Sequence, residues 1–192
     1  MKQRENGIVI GTVMDLDDPE KLGRVKVRLA QYNDEQSCWA RLVAPMAGKQ
    51  RGFFFRPEKE DEVLIAFENG DPRRAYVLGA LWSKVDAPPP DDGKKDNNWR
   101  FIVSRSGHIL KLDDTSGAEK VEVIDKSGKH KIVLDASGDK IQIICDSGNV
   151  EVKAPAGSVK VDAQSIEINA SADMTLTAGT QLKIQGNKVD IN

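Results

Sequence analysis

From about Gly107 to Asn192 one short pattern keeps returning, two apolar residues separated by a polar one and followed by a turn. The pairs are Leu110/Leu112, Val121/Val123, Ile132/Leu134, Ile141/Ile143, Val150/Val152, Val159/Val161, Ile166/Ile168, Met174/Leu176, Leu182/Ile184 and Val189/Ile191. Side chains alternate faces along a strand, so each unit offers a dry face two residues wide and a wet face of Lys, Glu, Gln, Asp or Asn. Glycines between the units, among them Gly107, Gly117, Gly128, Gly138 and Gly148, supply the turns. The spacing starts near ten residues and shortens to seven or eight after Val159. No unit this small can bury its own face, so the region is a repeat fold in which neighbours cover one another.

Those neighbours could belong to the same chain. Three units would make one coil of a parallel β-helix of about 24 residues, but the region would then hold only about three coils, with a thin core and open ends. If three identical chains wind round one another, each unit stacks on units of the other two. About thirty strands then close into a three-sided prism, roughly 50 Å long at about 4.8 Å per strand. The intertwined trimer is the reading adopted, and it makes the pairs from Val121 to Ile191 both the core of the shaft and the contact between chains.

Composition narrows the class further. No run approaches the roughly eighteen apolar residues of a membrane span, and the start MKQRENGIVIG lacks the apolar segment of a signal peptide, so assembly in the cytoplasm is expected. Cys38 and Cys145 read as two buried thiols, not a disulfide framework. Residues 1–98 carry 16 Lys/Arg against 17 Asp/Glu, and residues 99–192 carry 12 against 13. Neither half has the basic excess that phosphate binding needs, so no nucleic-acid partner is expected. With no sustained 3.6-residue period, the chain reads as all-β.

Five strand-like segments precede residue 85: Gly7–Met14, Gly23–Ala30, Cys38–Val43, Glu62–Glu68 and Arg74–Leu81. Five short strands in about 75 residues fit a small closed barrel, of which the OB-fold is the common form. Asn69-Gly70-Asp71-Pro72 marks a hairpin between the last two. Asp86 to Asn98, with three prolines and nothing to bury, reads as a linker.

An ordered set of motifs then resembles a known family. Gly23-Arg-Val-Lys-Val-Arg28, Trp39-Ala-Arg41, Pro45-Met-Ala-Gly48, Arg51-Gly-Phe-Phe-Phe55, Asp61-Glu-Val-Leu-Ile-Ala-Phe67, Gly70-Asp-Pro-Arg-Arg74 and Tyr76-Val-Leu-Gly79 look like the OB domain of contractile-tail spike proteins. These include phage baseplate assembly protein V, the VgrG proteins of type VI secretion and the spikes of extracellular contractile injection systems. Ser104-Arg-Ser-Gly-His108 and Leu112-Asp-Asp-Thr-Ser-Gly117 resemble the entry into their β-helix.

The resemblance implies an OB-fold barrel over residues 1–85, a Pro-rich linker over 86–98 and a shaft over 99–192 that is an intertwined, trimeric triple-stranded β-helix. It also implies a structural homotrimer docked on a baseplate hub under the inner tube, delivered through a target membrane on firing. Some relatives carry a lysozyme domain between barrel and shaft, for which the linker leaves no room. Others end in a His-x-His motif that binds iron; Gly186 to Asn192 has no histidine. A separate PAAR-type tip protein is therefore preferred to closure by a layer at Val189 and Ile191.

Enzyme chemistry finds little support. His108 and His130 lie in no metal-ligand spacing, and the adjacent carboxylates Asp17-Asp18 and Asp113-Asp114 read as solvated turns. With no nucleophile elbow, phosphate loop or dinucleotide fingerprint, neither an enzyme nor a cofactor is expected. Arg51, Phe53 and Phe54 are candidates for a hub or inter-barrel contact, together with Arg73 and Arg74. Three aromatics among cations can also stack bases, so an oligomeric OB protein binding nucleic acid or polysaccharide is the alternative.

Overall fold

The computed structural model describes residues 7–29, 37–91, 93 and 95–191, in two compact units, Met1–Asp146 and Ser147–Asn192. Every element longer than a single turn is a strand, and the one helical piece among the described residues is a 3-10 turn at Glu68–Gly70.

The first unit begins with β1 (Ile8–Asp15), β2 (Val25–Leu29) and β3 (Ser37–Leu42), then a two-residue ribbon, β4 (Ala47–Gly48) with β5 (Arg51–Gly52), then β6 (Glu62–Phe67) and β7 (Ala75–Ala80). The five longer strands close into a barrel in the order β1-β2-β3-β7-β6, with β6 returning to β1. All its pairings are antiparallel except β3 with β7. This is the OB barrel expected from the five alternating segments. Every second residue points inward, and nine side chains from Val13 to Val77 fill the interior with none above 3% exposure. Closure needs Gly11, since a Cβ there would stand 2.8 Å from the Arg28 carbonyl oxygen. The Asn-Gly hairpin forms as expected: Asn69 and Gly70 take φ of 52° and 73°, and the Glu68 N–H donates to the Arg74 carbonyl at 3.0 Å.

Five further strands make a second sheet in the same unit: β8 (Trp99–Val103), β9 (Ile109–Asp113), β10 (Lys120–Ile124), β11 (His130–Asp135) and β12 (Lys140–Cys145). Each pairs with the next in an antiparallel meander. Here the structure corrects the sequence reading, which stacked every unit on other chains. The units of Val121/Val123, Ile132/Leu134 and Ile141/Ile143 form their backbone ladders within one chain. The ten-residue spacing explains this. It gives five or six residues to a strand and the rest to a turn that reverses the chain, as at Gly117, Gly128 and Asp139, where φ is 74°, 71° and 48°.

The second unit, described from 147 to 191, contains no helix or strand among those residues, and all of them are exposed.

Candidate assembly surfaces

Register lines up the apolar residues of the meander in two rows. Ile102, Leu110, Val123, Ile132 and Ile143 form one, each opposite the next, and Leu112, Val121, Leu134 and Ile141 form the other. This face is open: Leu110 and Leu112 are 42% and 45% exposed, Ile141 and Ile143 74% and 70%. The opposite, polar face is the better covered. Lys111 Nζ lies 2.5 Å from Glu122 Oε2, 3.8 Å from Asp113 Oδ2 and 4.4 Å from the centre of the Trp99 ring. Asp113, Glu122 and Val133 are buried beneath these long side chains. One chain thus finishes its wet face alone and leaves its dry face bare.

In the second unit the bare surface is larger. Val150, Val152, Val159, Val161, Ile166, Ile168, Met174, Leu176, Leu182, Ile184, Val189 and Ile191 are all between 49% and 87% exposed. Every shaft residue singled out from the sequence in this stretch therefore lies uncovered, where no ladder forms within the described chain.

On the barrel, Phe53 and Phe54 are 51% and 72% exposed, and Phe53 stacks on Phe55 with centroids 6.3 Å apart. That stacking occupies one face of each ring that a base would use. Arg51 is exposed on the β4–β5 ribbon. Arg73 and Arg74 are engaged within their own hairpin: Arg73 donates from Nε and Nη2 to Asp71, and Arg74 Nη1 meets Glu68 Oε1 at 2.8 Å. The Tyr76 hydroxyl donates to the same Glu68, and these two bonds hold its carboxyl below the usual range. The five barrel candidates thus divide into an exposed aromatic ribbon and a self-satisfied turn.

Two carboxylates read from the sequence as solvated turns are not solvated. Asp18 is 5% exposed. It accepts from the Arg24 guanidinium and from the backbone N–H groups of Glu20, Leu22 and Arg24, in that loop's polar hub. The guanidinium, with those N–H groups, holds the Asp18 carboxyl far below the usual carboxylate range. Asp113, 7% exposed, accepts the Thr115 hydroxyl at 2.5 Å. Sequence pattern misses both, because the partners that make burial tolerable lie on folded neighbours.

His108 sits in the turn before β9, where its Nδ1 accepts the Lys126 N–H, and His130 begins β11. Cys38, half-buried against the barrel core, has its thiol pushed up by burial, and Cys145 is half-buried at the end of β12. Among the described residues no three His, Cys, Asp or Glu side chains gather into a metal-binding group, and no helix is long and apolar enough to cross a membrane.

Comparison with known proteins gives the barrel a context. Residues 9–82 match the family described as the type VI secretion system/phage-baseplate injector OB domain. The whole chain aligns with the actin cross-linking toxin VgrG1 of Vibrio cholerae, 26% identical over 202 residues, which covers 17% of that protein. The type VI secretion system spike protein VgrG5 of Pseudomonas aeruginosa is 27% identical over 143 residues, 70% of this chain and 17% of its own length. The spike protein VgrG3 of Vibrio cholerae is 27% identical over 147 residues, 72% of this chain and 14% of its own length. The chain therefore spans less than a fifth of the length of these curated relatives.

Proposed function

We propose that this chain is a structural spike of a contractile injection machine, acting as a homotrimer and not as an enzyme, a reading supported by the match of its barrel to the injector OB domain and by its similarity to VgrG spike proteins. Three barrels form a collar, three meanders turn their apolar faces toward a common axis, and residues 147–191 of the three chains wind into an intertwined triple-stranded β-helix. The collar docks on a baseplate hub protein under the inner tube, and a PAAR-type protein tips the shaft. Assembly takes place in the cytoplasm, and firing drives the spike through a target membrane. A shaft whose ladders join all three chains resists that load, because no chain can leave without breaking bonds to both others.

One observation supports this above the rest. Twelve apolar side chains alternate along 147–191 and are exposed in the single chain, and surface of this extent on extended chain is what winding with other copies would cover. The test is the mass of the purified chain by light scattering, before and after dilution and in detergent without boiling. A species near three times 21.1 kDa that survives both is expected; a monomer would sink the proposal. The rival OB reading predicts nucleic-acid binding that weakens with salt, and the spike predicts none.

A further inference from the structure

Three-fold assembly places a demand on the barrels. In a two-fold dimer one patch meets its own copy, whereas each member of a closed three-membered ring meets its two neighbours through two different patches. The barrel has two apolar surfaces that its own described residues leave uncovered. One is the ribbon side, with Met46 48%, Phe53 51%, Phe54 72% and Phe55 66% exposed. The other is an outer wall, where Ile8 pairs with Ala66 and Ile10 with Leu64, beside Leu78 at the bulge between β6 and β7. On that wall Ile8, Ile10 and Leu78 are 58%, 46% and 41% exposed. Phe54 lies against Gly23, in the loop that follows the far end of β1 from Ile8. The extended strand separates its two ends by about 23 Å, so these are two patches and not halves of one.

Charge tells them apart. From Val43 to Pro57 the ribbon segment carries Lys49, Arg51 and Arg56 and no acid. Arg56 donates to the Leu16 carbonyl at 2.8 Å, while Arg51 makes no ion pair or side-chain hydrogen bond among the described residues. The outward row of the wall continues from Leu64 to Glu62, opposite Thr12, and the Glu62 carboxylate is equally without a partner among them. Beyond Thr12 the row reaches Arg28, so the wall carries both signs; the ribbon, with cations alone, repels its own copy, whereas the wall offers it a carboxylate.

We infer that three barrels close into a ring in which the Phe53–Phe55 ribbon of one chain packs on the Ile8, Ile10 and Leu64 wall of the next, bringing Arg51 to Glu62 of the partner subunit. This rests on the trimeric reading above and adds a second interface to the one in the shaft.

Full-length chains carrying Phe54→Cys and Ile10→Cys, singly and together, test it. Mass in solution is measured first; the samples are then oxidised and run on a denaturing gel without reductant. Both positions are exposed, so the barrel tolerates either change. The expected result is trimers in all three variants, with a reducible ladder reaching three chains in the double variant alone. Trimers without that ladder, or with the same ladder in a single variant, would overturn the ring and leave the trimer standing. Monomers throughout, wild type included, would overturn both. In the double-cysteine background, Arg51→Glu and Glu62→Arg should each lower the cross-linking yield several-fold and together restore it; unchanged yields would refute the pairing of Arg51 with Glu62.

Discussion

The barrel and the C-terminal unit are written in the same alternating code and end in opposite states. Val25, Val27 and Leu29 on β2 are at most 2% exposed, because five strands curl until their inward side chains meet. Val159 and Val161 alternate in the same way and are 60% and 68% exposed. Alternation says that a face must be covered; it does not say by which chain. The meander stands between the two, with its ladders complete within one chain and its apolar rows open. Covering is therefore graded along the chain: complete in the barrel, half complete in the meander, and absent among the described residues after 146.

The largest effect should come from breaking the comparison at its open end. Val161→Asp would place three carboxylates near one axis in the proposed shaft, each costing several kcal/mol without a partner. Trimers should be lost and the mass should fall to one chain, while the barrel keeps its cooperative unfolding. The same substitution at Val27 should unfold the barrel itself, since that side chain is 0% exposed in a single chain. Soluble trimers from Val161→Asp would show that Val161 does not face inward.

What sequence could disclose follows the same gradient. The barrel strands were legible because Arg24-Val-Lys-Val-Arg28 alternates and Asn69-Gly70 can only turn, and both features are local. The exposed ribbon was legible because three consecutive phenylalanines cannot all face one interior. The Ile8–Ile10 wall was not, since an all-apolar Ile8-Val-Ile10 gives no sign of which residues point out. The meander was missed although its ten-residue spacing was visible, because a repeat period does not say whether the chain reverses or proceeds. Asp18 was hidden for another reason: Asp15 to Gly23 looks like any polar loop until Arg24 folds back on it.

A smaller effect should sharpen the middle term. Lys111 links Glu122 and Asp113 on the covered face of the meander, so Lys111→Met leaves two buried carboxylates without their cation. The expected loss is about 1–3 kcal/mol, read by urea unfolding and by faster hydrogen exchange across β9 and β10. Adding Glu122→Leu should recover part of it, because removing both partners is milder than orphaning one. Strictly additive losses would show that the two residues are not coupled, and the covered face would then owe its burial to packing alone.

The smallest effect belongs to acid and returns to the barrel. The Asp18 carboxyl titrates lower in the folded chain than its ordinary value of 3.8, so folding favours the ionised form. The stability it supplies is fully present above that ordinary value and is lost as pH falls below it toward the depressed folded value. Wild type should therefore lose barrel stability on acidification through and below that point, and Asp18→Asn should lose less of it there while starting from a lower level at neutral pH. Because Asp18 and its partners all lie in the β1–β2 loop, the change should appear in barrel unfolding with no change in chain mass. Acid that dissociates the proposed trimers at equal pH in wild type and Asp18→Asn would place the sensitive groups at the contacts between chains, and loop and assembly would then answer to different carboxylates.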